Sequence, residues 1–318
     1  MRKIALAGVV ALAGFGLFAV PDFAPKDKGY RVSYPDRVAK ANPRRGAMSP
    51  IDPKEADFRD LRAWGGTLMR YQMQAGSGAA DAPKAERLAA FDREVGTRLD
   101  KLERDLIPWG RKYGVKIVVD LHASPGGREK GGEVAMYHDA ELAAHFVEFW
   151  RKTAARFKGN ADVIYGYDLF NEPVQDRMNA PGCDYWTVQK RAAEAIRAVD
   201  GETSIILAAN HWDLTDGFRH FPALEMDNVI YTVHVYEPHG FTHQGVGKAW
   251  EKLPWPFVDA GGRKYDRAWL AEKLKPVRLF AESHRAKIYV GEFSAIGWAE
   301  GAERYVADCI ALRPQDCQ

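Results

Sequence analysis

From about residue 44 onward, short apolar runs alternate with longer segments whose apolar positions recur every three or four residues. The short runs are Gly46–Met48, Thr67–Met73, Lys116–Leu121, Val163–Phe170, Ser204–Ala208, Val229–Tyr236 and Lys287–Gly291. Several are apolar at nearly every position, the mark of strands buried on both faces. The longer segments are 53–64, 86–113, 140–157, 185–199, 266–283 and 301–312, and their spacing predicts helices. In 140–157, Leu142, Phe146, Phe149 and Trp150 share one stripe while Glu141, Glu148, Arg151 and Lys152 face water. Strands that alternate with helices predict parallel βαβ units.

An open doubly wound sheet and a closed (β/α)₈ barrel both fit that alternation. A nucleotide-binding sheet would carry a Gly-rich turn after its first strand. Neither G-x-G-x-x-G between strand and helix nor G-x-x-x-x-G-K-[ST] occurs here. Instead, polar residues gather along and just after the strands. Arg70 lies on the second, His122 ends the third, and Asn171 with Glu172 ends the fourth. Asn210, His211 and Trp212 follow the fifth, His234 and Tyr236 lie on the sixth, and Glu292 ends the seventh. An active site built from many strand ends is the arrangement of a (β/α)₈ TIM barrel, which is the expected fold.

Residues ahead of the barrel have a different character. Arg2 and Lys3 precede an apolar run from Ile4 to Val20, the pattern of an export signal. No clean A-x-A site follows it, so residues 1–24 are expected to be a signal peptide or an N-terminal membrane anchor. Residues 25–43 are polar and Pro-punctuated and read as a linker. The barrel domain is expected over 44–318. The protein is expected to be secreted or periplasmic, with a possible membrane tether through residues 4–20.

Composition narrows the chemistry. With 45 basic and 43 acidic side chains the net charge is +2, so no basic face invites nucleic acid. The 46% hydrophobic and 28% charged content is that of a folded protein. Cys183, Cys309 and Cys317 have no zinc spacing, and pairing of Cys309 with Cys317 stays open.

Glu172 stands in YDLFNEP and Glu292 in IYVGEFS, each just past an apolar strand. Either alone could be a helix cap or a structural ion pair. Together, two carboxylates at strand ends of one barrel can flank a glycosidic bond, one protonating the leaving oxygen while the other attacks the anomeric carbon. His234 and Tyr236 are two apart on one strand and share a face. Trp212 and Trp298 are placed to stack on the apolar faces of sugar rings. The segment 237–265 carries Phe241, Trp250, Trp255, Phe257 and Tyr265, which could form further platforms or a self-packed loop. His122, His211, His234 and Glu292 could instead serve a metal. Metal-dependent barrel hydrolases usually open with H-x-H on the first strand, and RRGAMS has no His. No metal and no cofactor are expected.

The motifs LFNEP, VGEF, DLHASPGG and HVYEPHGFTHQ, in this order on these strands, resemble glycoside hydrolase family 5, the cellulase-like retaining β-glycosidases. The likeness runs from about Gly46 to Tyr305. It implies that Glu172 is the acid/base and Glu292 the nucleophile. It implies that Asn171 binds the sugar 2-hydroxyl, that Tyr236 and Arg70 hold the nucleophile ionised, and that His122 and His234 line the same subsite. The implied activity is endo-hydrolysis of β-1,4-glucan, with mannan or β-1,3-glucan as alternatives within the family. A monomer acting on a polysaccharide or oligosaccharide is expected.

One feature departs from the family. After Glu292 the sequence offers a single helix, 301–312, and then RPQDCQ. An eighth strand-and-helix unit would need roughly 30 more residues. The barrel is therefore expected to lack its eighth unit through C-terminal truncation, and the family's Trp after strand eight has no counterpart. A non-catalytic carbohydrate-binding barrel is the alternative of another class.

Overall fold

The computed structural model describes residues 45–76, 82–129, 131–177, 181–246 and 252–312. The expected signal and linker regions, Trp250 and Cys317 lie outside them.

Seven parallel strands form one sheet in sequential order. They are β1 (Gly46–Met48), β2 (Leu68–Met73), β3 (Lys116–Leu121), β4 (Ile164–Asp168), β5 (Ser204–Ala208), β6 (Val229–Val235) and β7 (Lys287–Phe293). The helices longer than one turn are α1 (Glu55–Ala63), α2 (Lys84–Lys101), α3 (Ile107–Tyr113), α4 (Ala140–Phe157), α5 (Tyr185–Arg197), α6 (Arg267–Lys273), α7 (Lys275–His284) and α8 (Ala302–Ala311). The sheet curls into a nearly closed barrel, with β1 and β7 at its two edges. All seven runs predicted to be strands are strands.

Two predicted helices differ in detail, and proline explains both. The segment 266–283 is two helices, because Pro276 lacks an N–H and sits in the first turn of α7. The segment 86–113 is continuous but widens into a π turn at Leu102–Leu106. Pro108 lies just beyond, where its ring would crowd the carbonyl four residues earlier, and the wider turn relieves that clash.

Inside the barrel the side chains stack in layers. Leu68, Val118, Ile206 and Ile230 form an apolar floor. Further along, the inward positions are Arg70, Asp120 and Thr232, each two residues after one of these, and Asp168, two after Gly166 on β4. Outside, the alternate residues Met69, Tyr71, Ile117, Val119, Ile205, Leu207, Val229 and Tyr231 pack on the helices in the main core.

Parity alone would put Tyr289 and Glu292, three apart on β7, on opposite faces. The register shifts after Val233, which opposes Val290, so that His234 opposes Glu292 and Gly291 is the extra residue. This bulge turns Glu292 back toward the barrel interior.

A second, smaller core lies after β6. Phe241, Trp255 and Tyr305 pack together, with Phe257 stacked on Tyr265 at 4.5 Å. The aromatics described in 237–265 are therefore a self-packed unit, and Phe241 and Trp255 are buried rather than open to a sugar.

Candidate active site

Arg70 is the hub of the upper barrel. Its side chain is 2% exposed and touches three carboxylates. Nε donates to Asp168 Oδ2 at 2.9 Å, Nη1 donates to Glu292 Oε1 at 2.6 Å, and Nη2 lies 3.0 Å from Asp120 Oδ1. Nη2 also donates to Asn171 Oδ1 at 2.9 Å. A planar guanidinium with several donors suits this many partners, where an ammonium would not. Asp120 in turn holds His122 Nδ1 at 2.7 Å.

Glu292 is fixed from its other side by Tyr236, whose hydroxyl donates to Oε2 at 2.8 Å. Burial, and then the Glu292 charge, raise the Tyr236 phenol and keep it protonated as a donor. Glu292 thus accepts a hydrogen bond at each of its two oxygens.

Glu172 is held differently. It follows β4 in a left-handed backbone conformation, φ 54°, which is costly for a residue with a Cβ. Arg128 secures this turn, Nη2 donating to the carbonyls of Asn171 at 2.9 Å and Glu172 at 2.8 Å. The Glu172 carboxylate Oε1 meets His234 Nδ1 at 3.0 Å. Burial alone would raise this carboxyl, but the His234 hydrogen bond and the positive charges of His234, Arg128 and His122 together outweigh it, and the pKa lies below the ordinary glutamate value. A general acid needs the opposite direction, so His234 must lose its charge before Glu172 can hold a proton near neutrality. Both glutamates approach the same ring nitrogen, Glu292 Oε2 lying 3.9 Å from His234 Nδ1.

One oxygen from each glutamate and a His234 ring nitrogen all lie within 4.8 Å of one another. Such a trio could hold a metal by distance alone. Here the same atoms are engaged by Arg70 and Tyr236 at Glu292 and by each other at Glu172 and His234.

The predicted site residues thus come together in one network comprising Arg70, Asn171, Glu172, His234, Tyr236 and Glu292, with His122 joined through Asp120. Trp212 joins at the rim. It is 39% exposed and has the Arg128 guanidinium 5.0 Å from its ring centroid. Trp298 is 56% exposed, its ring lies against Gly245, and no ring or hydrogen-bond contact ties it to the network among the described residues. His211 pairs with Asp176 at 3.4 Å, outside the cluster. Cys183 and Cys309 form no disulfide among the described residues.

Sequence reasoning missed Asp120, Asp168, Asp213 and Arg128. Asp120 and Asp168 had a signal, because an acid within KIVVDL or IYGYD needs a buried cationic partner and Arg70 on LMRYQM is its counterpart. Asp213 and Arg128 sit in loops with no such cue.

The fold and site together define a barrel with a pair of differently supported glutamates at its carboxyl end. A family model, Cellulase (glycosyl hydrolase family 5), matches residues 34–311. The chain belongs to glycosyl hydrolase family 5. Endoglucanase C of Acetivibrio thermocellus is 25% identical over 234 residues, 65% of this chain and 66% of that protein. Cellodextrinase A of Ruminococcus flavefaciens is 27% identical over 202 residues, 63% of this chain and 57% of its own. The chain thus spans less than two thirds of the length of each of these relatives. Thermotoga maritima Cel5A, solved with cellobiose, superposes with a TM-score of 0.66 at 19% identity, over 86% of this chain and 87% of the other.

Proposed function

We propose that this chain is a retaining β-glycosidase that cleaves β-1,4-glucan internally by double displacement. Glu292 attacks the anomeric carbon, and Glu172 protonates the leaving oxygen and then activates water. The observation that carries this reading is the approach of the two carboxylates to within 4.8 Å, with unlike supports. Retaining enzymes hold their carboxyls about 5–5.5 Å apart and inverting ones about 6.5–9.5 Å, so this spacing supports retention. Arg70 and Tyr236 suit Glu292 to a nucleophile, because both donate to the ionised form. Asn171 and His122 would bind sugar hydroxyls, with Trp212 and Trp298 as outer platforms.

The names of the relatives favour glucan, while Thermotoga maritima Cel5A has also been solved with mannotriose. A panel of β-1,4-glucan, mannan and β-1,3-glucan separates these readings. The mechanism is tested by removing each glutamate. Glu172→Ala should retain most activity on substrates whose leaving group needs no proton, and azide should partly restore it. Glu292→Gly should lose turnover on every substrate. Azide rescue of Glu292→Gly but not of Glu172→Ala would reverse the roles, and inversion at the anomeric carbon by NMR would exclude double displacement. We further propose export through residues 4–20, to be tested by fractionation and N-terminal sequencing. No helix among the described residues is long and apolar enough to cross a membrane.

A further inference from the structure

Behind His234 lies a carboxyl that the reaction above does not use. His234 and Asp213 are both wholly buried. His234 Nε2 faces Asp213 Oδ2 across 3.6 Å, and neither atom has a hydrogen-bond partner among the described residues. The gap is too wide for a hydrogen bond, but closing it by about half an ångström makes one. Asp213 is anchored for the purpose. Its Oδ1 accepts the Ala209 amide at 2.9 Å, and its carbonyl accepts the His234 amide at 2.8 Å.

The backbone that delivers Asp213 is strained. His211, Trp212 and Asp213 have φ of 60°, 63° and 57°, three consecutive left-handed residues with side chains. Such a run persists only where the surrounding structure enforces it. Its effect is to leave Trp212 at the rim and to bring Asp213 under the His234 ring.

The groups around that ring are Glu172 after β4, Asp168 on β4, Asp213 after β5, Glu292 on β7, Arg70 on β2 and Tyr236 just past its own strand. The carboxylates favour a charged imidazole and Arg70 opposes it. For Glu172 to aim a proton at a leaving oxygen, its Oε1 must accept from His234, so Nδ1 must carry hydrogen. A neutral imidazole has one N–H, so Nε2 is then bare and requires a donor. A protonated Asp213 is that donor. If the proton moves onto Nε2, the imidazolium still donates from Nδ1, but its charge then holds the Glu172 carboxyl down.

We propose that Asp213 is a positioning residue of the active site, sharing one proton with His234 Nε2 and so keeping the hydrogen on Nδ1 directed at Glu172. Burial, pushing the Asp213 carboxyl up to about 8, supports retention of that proton. When the proton sits on Nε2 instead, burial works against the cation, while the Glu172 hydrogen bond and the then-ionised Asp213 favour it.

The inference rests on the reading of Glu172 as acid/base, and the test separates the two. Asp213→Asn keeps the Ala209 contact through its oxygen and turns an amide donor toward Nε2, holding His234 neutral with hydrogen on Nδ1. Asp213→Leu removes the partner. The measurements are ¹⁵N spectra of the His234 ring across pH, and pH profiles of kcat/KM on substrates with poor and good leaving groups. In Asp213→Asn the ring should stay neutral where the native ring takes a second proton. The alkaline limb, where Glu172 loses its proton, should move up by about one pH unit, because a cation beside Glu172 is lost. Asp213→Leu should lose about tenfold or more in kcat on the poor leaving group, little on a dinitrophenyl β-cellobioside, with KM unchanged. Identical ring spectra in native protein and Asp213→Asn would overturn the proposal, even if Asp213→Leu failed to fold. Altered ring spectra with unmoved pH limbs would support the shared proton and count against Glu172 as the acid.

Discussion

A methyl group added at Gly291 would lie 2.6 Å from the Thr232 hydroxyl and 3.0 Å from His234 Nε2. The bulge that turns Glu292 inward therefore also brings the β7 backbone against the face of His234. Gly291→Ala should cost about 1–3 kcal/mol, as overpacking does, and should reduce turnover by displacing His234. A thermal melt and a steady-state assay check both, and an unchanged melt would show that β7 gives way freely. Arg70 is a harder case. Arg70→Met leaves Asp120, Asp168 and Glu292 buried around no cation, a loss of about 3–5 kcal/mol in denaturant unfolding. Both residues show what was legible. Arg70, Glu172 and Glu292 stood out because charge beside an apolar strand demands a reason. Asp213 did not, because it lies 21 positions from His234 and only the fold brings them together.

At the scale of elements, legibility followed burial. Strands covered on both faces are apolar almost throughout, so β3, β5 and β6 stood out plainly. Where a boundary depended on proline, as at Pro276 and Pro108, the pattern of apolar positions ran through the break. The strands are not equally secure. β5 and β6 are buried at every position, whereas β1 is largely exposed and β7 mostly half-buried. The outer edges of β1 and β7 pair with no strand among the described residues. Amide hydrogen exchange should therefore be slowest in β3 to β6 and fastest in β1 and along the outer edge of β7. Equal protection across the sheet would mean that those edges are covered. The small core behind β6 supports the site indirectly. The Tyr305 hydroxyl meets the carbonyls of Val235 at 3.2 Å and Glu237 at 3.0 Å, which flank Tyr236. Tyr305→Phe should cost about 1 kcal/mol in stability and loosen Tyr236 from Glu292, seen as a larger fall in kcat than in melting temperature would suggest.

For the whole molecule, pH acts through groups of opposite sign. Burial raises Asp213, to about 8, and also Glu237, and the net of its contacts raises His234. Folded protein binds these protons more tightly than unfolded chain, so their contribution is present below the unfolded pKa values and fades as pH rises toward 8. Glu172, Glu133 and Asp200 are lowered despite burial, by hydrogen bonds and, at Glu172 and Glu133, by neighbouring positive charges that together outweigh it. Their contribution is present above about pH 4 and is lost in acid. Melting temperature should peak near about pH 5 and decline by pH 8. A profile still rising over that interval would mean that the buried acids are ionised in the folded protein.

The carboxylates around Arg70 outnumber its single charge. A chamber with that imbalance attracts positive charge, and sugar cleavage passes through an oxocarbenium-like state that carries it. A ring nitrogen placed where the anomeric carbon sits would bear a lasting version of that charge. Cyclic amine mimics of the sugar should then inhibit far more strongly than neutral lactams of the same shape. Their grip should weaken above the pKa of the amine, and more steeply than the activity itself declines. Equal inhibition by amine and lactam would mean that the chamber senses shape alone.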